Sequence, residues 1–225
     1  AGAREQAALA ENALDQARAT ARTARDRETA ARADVRRVEE EHTALTGRLA
    51  ALEGLERERV GLAPAAAKVL RERERFGSEA ILGPLSDFIG ADTAVAAQVE
   101  RFLGPTVHAV VVRDRAAAEA IRRWHAETNP GALLLLPLDT LAGAADVDPE
   151  DLGSRVRSEG AAGRWVRALL GHVKAVADGS AFVDARGAMW LPAKESGAGP
   201  LRRRAELEEL RTQLGSIETR RAAVQ

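Results

Sequence analysis

The chain has 225 residues and a mass of 24.0 kDa, and its 33 basic residues nearly balance 34 acidic ones. Only 3% of residues are aromatic, so any compact core must rest on Ala, Leu and Val. Cysteine is absent, which excludes disulfides, thiolate catalysis and Cys-containing zinc sites. A net charge of −1 gives no global attraction to nucleic acid or to an acidic membrane, leaving only local basic patches. The longest apolar run, 132–138, is far too short to span a bilayer, and no signal peptide opens the chain. A soluble cytoplasmic protein without a membrane partner is expected. The sole methionine is Met189 and both ends fall inside helical patterns, so a piece of a longer polypeptide is expected.

From the N-terminus, steps of three and four residues select Ala7, Ala10, Leu14, Ala17, Ala21, Ala24, Glu28, Ala31, Val35, Val38, His42, Leu45, Leu49 and Leu52. Only Glu28 and His42 interrupt this apolar seam, and Arg, Glu and Asp fill the intervening positions. A period of about 3.5 sustained for about six heptads predicts a coiled-coil arm over 1–62. The rhythm returns near the C-terminus at Leu207, Leu210, Leu214, Ile217, Arg221 and Val224. The simplest geometry folds the two arms into an antiparallel pair. Setting Leu207 against Leu52 places Leu210 by Leu49, Leu214 by Leu45, Ile217 by His42, Arg221 by Val38 and Val224 by Val35. In that register residues 1–34 have no mate within the chain, and they are expected to fray or to borrow a partner.

Between the arms the pattern changes. Gly61, Pro64 and Gly77 punctuate the exit from the first arm, with one short helix expected over 65–75. Asp92 caps a helix reaching about Leu103, and Val107, Val110, Val111 and Val112 mark a buried strand over 107–112. Asp114 caps a helix to about Thr128, and a strand follows over 133–136. Asp139 reads as a turn or capping residue. After a polar stretch come a helix over 163–170 and strands over 172–176, 181–183 and 188–191. Strands alternating with helices predict an α/β layer. Two halves are expected, 63–145 and an abbreviated 146–198, before the returning arm at 199–225.

Catalytic chemistry finds no foothold. Lys68, Lys174 and Lys194 follow Ala67, Val173 and Ala193, so none completes a phosphate loop, which needs glycine before its lysine. His42, His108, His125 and His172 show no ligand spacing, and no nucleophile is set beside a base. No cofactor is expected. Two basic groups, Lys68, Arg71, Arg73 and Arg75, and Arg202, Arg203 and Arg204, gather near the arm junction in the folded-back register. Such a patch suits sequence-independent phosphate contact, with no interleaved aromatics for base stacking.

Four motifs carry a resemblance. The run from Ile81 through Gly83, Leu85 and Asp87 to Ile89 is similar to the opening of the SMC (structural maintenance of chromosomes) hinge. Residues 96–112, with Leu103 and Gly104 before a Val-rich strand, resemble its next block. Leu136, Pro137, Leu138 and Asp139 resemble the sequence closing its first half, and residues 197–210 resemble its glycine-rich exit into the return coil. The likeness covers about 63–210. The resemblance implies a non-catalytic module in which two hinges, in a homodimer, join long arms of a nucleoid-associated, chromosome-condensing and segregating ATPase whose heads lie elsewhere. It also implies a dimer interface lined by Gly187, Gly197 and Gly199, with DNA contact as a subsidiary role. A zinc hook is excluded by the missing Cys-x-x-Cys. The competing readings are a coiled-coil spacer carrying an inserted protein-binding domain, and an enzyme built on the α/β layer.

Overall fold

The computed structural model describes residues 2–77, 79–141, 148–158, 160–177, 180–192 and 199–224. The chain forms two compact units, one of residues up to Ala50 with those from Leu210, the other from Ala51 to Glu209. Mixed α/β structure flanked by an antiparallel helical pair is the architecture that the sequence predicts.

In the first unit, helix α1 (Gly2–Arg57) meets the last part of helix α6 (Pro200–Val224). From residue 35 to 52, the positions of α1 withdrawn from solvent are Val35, Val38, His42, Leu45, Leu49 and Leu52, spaced three and four apart. Val38 is the most buried of them, and Leu207, Leu210 and Ile217 are buried on α6, with Leu214 half-buried. Arg220 pairs with Glu41 at 3.3 Å, as an antiparallel register near Ile217 and His42 requires. Val224, expected in the seam, is instead 39% exposed, in the last turn of α6.

Residues 9–34 are exposed, yet α1 is continuous there, where fraying was expected. Alanine and arginine are strong helix formers. Pairs such as Arg18–Asp15, Arg32–Glu28 and Arg37–Asp34 add support along the surface.

The second unit holds two three-stranded sheets. In the first, β1 (Ile81–Pro84) runs antiparallel to β2 (Val110–Val112), which runs parallel to β3 (Leu135–Pro137). Helix α4 (Arg115–Thr128) makes the crossover, and Asp114 accepts from the Ala117 amide while Asp139 accepts from that of Arg115. In the second sheet β4 (Val173–Ala175), β5 (Phe182–Asp184) and β6 (Met189–Trp190) form an antiparallel meander. Helices α2 (Pro64–Arg71), α3 (Thr93–Leu103) and α5 (Gly163–Leu170) complete the unit.

Strand β2 explains the core. Its side chains alternate between faces: Val110 and Val112 pack with Ala66, Val69, Ile121 and Trp124, while Val111 joins Val99, Leu103, Leu136, Val166, Leu170 and Phe182. A strand buried on both faces reads as an unbroken apolar run, as Val110 to Val112 do. The cluster around Val111 draws on both sheets and also takes in Leu201 and Ala205 of α6.

Two expected elements differ. The strand expected from Val107 starts at Val110, because Pro105 opens a 3-10 turn that runs from Gly104 to His108. The helix expected over 65–75 ends at Arg71, and a separate 3-10 turn, Arg73–Phe76, follows. Five charged residues, Arg71 to Arg75, offer nothing to bury until Phe76, which packs edge-on against Trp124.

Candidate functional site

The exit of α6 is held by side chains rather than by a local cap. Glu100, on α3, points its carboxylate at the helix start and accepts from the amides of Leu201 at 2.6 Å and Arg202 at 3.4 Å. A carboxylate at a helix N-terminus satisfies otherwise unpaired amides and complements the helix dipole. Arg202 lies 3.5 Å away, and the Glu100 side chain is only 12% exposed. A Cβ on Gly199 would fall far inside contact distance of this carboxylate, which would have to swing away from the amides to make room.

The neighbouring arginines are committed to the same junction. Arg203 donates to the carbonyl of Val60, in the turn that ends the first arm. Arg204 donates to the carbonyl of Ser86 and lies 3.6 Å from Asp87, which Arg59 also approaches at 3.5 Å. His108 sits near Arg203; burial, and then the arginine's charge, hold its imidazole below the ordinary histidine range.

The other basic group attaches to a different core. Lys68 lies over the ring of Trp124 at 5.5 Å, and Arg75 approaches Glu72 and Glu127. Arg71 and Arg73 are exposed, with no ion-pair partner among the described residues. The arginines of α6 are thus engaged in fixed contacts, whereas Arg71 and Arg73 lie on an open surface.

Of the glycines expected at an interface, Gly197 lies outside the described residues. Gly187 adopts φ +84° in the turn between β5 and β6, where Asp184 accepts from the amides of Arg186 and Ala188. Open space surrounds its missing Cβ, so the turn alone accounts for glycine there.

The surface that sequence reasoning overlooked follows that turn. Met189, Trp190 and Leu191 are 65%, 58% and 74% exposed, three consecutive large apolar residues at the edge of a sheet. Trp190 stands edge-on to Phe102 with ring centroids 6.2 Å apart, and Phe102 in turn meets buried Phe182 at 5.4 Å. Beside them runs a cleft of about 510 Å³ lined chiefly by Phe102, Leu169, Val173, Phe182 and Trp190. A run of apolar residues reads equally as a strand buried on both faces, as β2 is, so the sequence did not mark this edge as exposed.

Nothing in the unit assembles into a reaction centre. Among the described residues no group of acidic residues and histidines is placed to hold a metal ion. His125 contacts the Gly131 carbonyl at 2.7 Å, and the amide of His172 donates to the buried carboxylate of Asp151. No helix among the described residues is long and apolar enough to cross a membrane.

A small α/β domain of two sheets with an exposed apolar edge, entered by one helix and left by another, is the class of fold that the described residues define. Residues 78–181 match the model of the SMC proteins Flexible Hinge Domain family. The fold agrees with a solved one: the asymmetric dimer of the Geobacillus stearothermophilus SMC hinge domain superposes with a TM-score of 0.69 at 20% identity, covering 86% of this chain and 89% of that one. The Pyrococcus furiosus Smc hinge domain with an extended coiled coil covers 87% of this chain and 83% of its own at 21% identity, with a TM-score of 0.47. No curated protein is matched. Residues 78–181 are thus similar to the SMC hinge family, and the fold around them is that of an SMC hinge domain with a helix leading in and a helix leading out.

Proposed function

We propose that this chain is the dimerisation hinge of a chromosome-organising SMC ATPase, joining two long arms in chromosome condensation and segregation. The observation that carries the reading is the exposed edge formed by Met189 and Trp190 on β6 with Leu191 just beyond it, backed by Phe102. An unpaired strand edge with apolar side chains invites another chain to add to it. In a closed pair related by a two-fold axis, each copy offers the same patch and both edges are covered. A lasting contact needs about 1,000 Å² or more of buried surface, so the apolar cleft beside Trp190 would be part of it. The role is mechanical, with ATP hydrolysis assigned to other parts of the parent protein and no cofactor in the hinge. A nucleoid-associated location in the cytoplasm follows from that role.

The test is light scattering after size-exclusion chromatography. The wild-type chain should elute at twice 24.0 kDa, and Trp190→Ser with Leu191→Lys should run as a folded monomer. A wild type that stays monomeric when concentrated overturns the reading and favours a coiled-coil spacer whose inserted domain binds another protein.

Sequence-independent DNA contact is the finer part of the proposal, and it rests on Lys68, Arg71, Arg73 and Arg75 rather than on the arginines of the α6 junction. Binding of a duplex should weaken steeply with salt. Arg71→Glu with Arg73→Glu should abolish it, and unchanged binding by that variant would remove the role.

A further inference from the structure

Helix α3 touches both features of the site. At about 100° per residue, Glu100 and Phe102 project from nearly opposite sides of it. Glu100 holds the first turn of α6, while Phe102 meets Trp190 on the exposed edge. Between these contacts Val95, Ala96, Val99 and Leu103 are buried in the shared core, so α3 is packed as a stiff bar. In the structure the Leu201 and Arg202 amides are seated on Glu100; without that seat, they would turn to water. Trp190, 58% exposed, already stands edge-on to Phe102 in the single chain, so a covering chain would hold that contact in place.

We propose that covering the β6 edge and seating the root of α6 on Glu100 are coupled through α3, so that dimerisation stiffens the point where the return arm leaves the domain. The inference rests on the dimerisation reading and adds its regulation. A partner that presses Trp190 onto Phe102 restricts α3, and a restricted α3 keeps the Glu100 carboxylate aimed at the amides. Such coupling is reciprocal, so loss of the seat must weaken dimerisation by the factor by which dimerisation strengthens the seat.

The experiment is amide hydrogen exchange on the full chain, at concentrations below and above the dimer midpoint found by light scattering. Exchange at Leu201 and Arg202 should slow by about fivefold or more in the dimer, the lower range of ordinary coupling, while amides near Asn12 stay unchanged. Glu100→Gln should abolish the concentration dependence and weaken the dimer by the same factor. Phe102→Leu, which keeps the carboxylate seat, should also abolish the dependence. A dimer seen by light scattering whose Leu201 and Arg202 exchange matches the monomer overturns the coupling and leaves the dimerisation reading standing. A chain that never dimerises overturns both.

Discussion

Replacing Gly199 by alanine tests the junction most directly. The new methyl group would occupy the space of the Glu100 carboxylate, forcing it off the Leu201 and Arg202 amides. Losing a capping acceptor costs about 1 kcal/mol. Removing a mostly buried carboxylate from a helix N-terminus costs about 1–2 kcal/mol more, for a total of about 2–3 kcal/mol. For a chain of this length that corresponds to a fall in Tm of about 4–12 °C. All three tryptophans, Trp124, Trp165 and Trp190, lie in the α/β unit, so their fluorescence during urea unfolding reports on that unit alone. The decisive comparison is a double-mutant cycle. In a Glu100→Ala background the obstructing carboxylate is gone, and Gly199→Ala should become neutral or stabilise by about 0.5 kcal/mol through the unfolded state. An equal loss from Gly199→Ala in both backgrounds would refute the carboxylate as the reason for glycine.

Three further outcomes are expected. Phe182→Ala, which removes a fully buried ring packed on Phe102, should cost about 3–5 kcal/mol in the same unfolding assay. Met189→Lys should leave Tm within about 2 °C while preventing dimer formation in light scattering, because the side chain is exposed in the single chain. His108 has a pKa below its ordinary value of 6.5 in the folded state, so the unfolded chain takes up the proton first as pH falls. Its contribution is complete above about pH 6.5 and is lost below that; His108→Gln should flatten the decline in stability measured from pH 7 to pH 5.5.

Much of the fold was legible because its signals are local. The Asp92 and Asp114 caps lie just before the helices they start, and the arm seam repeats often enough that the shielded positions of α1 follow it from Val35 to Leu52. The errors arise where neighbours decide. Pro105 held Val107 out of a strand that its β-branched side chain suited. The junction was the least visible, since Glu100 and Leu201 are 101 positions apart and no periodicity announces a cap supplied from a distant helix. Likewise Arg202, Arg203 and Arg204 read as a free basic run until Glu100, Val60 and Asp87 are seen to engage them. The Met189–Leu191 edge gave no such signal, since three consecutive apolar residues also describe the fully buried β2, and only the position of β6 at the end of its sheet separates the two.

The two arms join the domain through unlike fittings. Helix α1 stops at Arg57, and a short turn with positive φ at Arg59 and Gly61 intervenes before α2. Helix α6 runs unbroken from Pro200 to Val224, with its first amides clamped by the domain. The return helix is therefore tied directly to α3, whereas the incoming helix reaches α2 through the six residues 58–63, a turn held by Arg203 on the Val60 carbonyl and by Arg59 beside Asp87. One connection is an unbroken helix and the other a pinned turn, and because Arg203 belongs to the first and grips the second, a change at the root of either is felt by its neighbour.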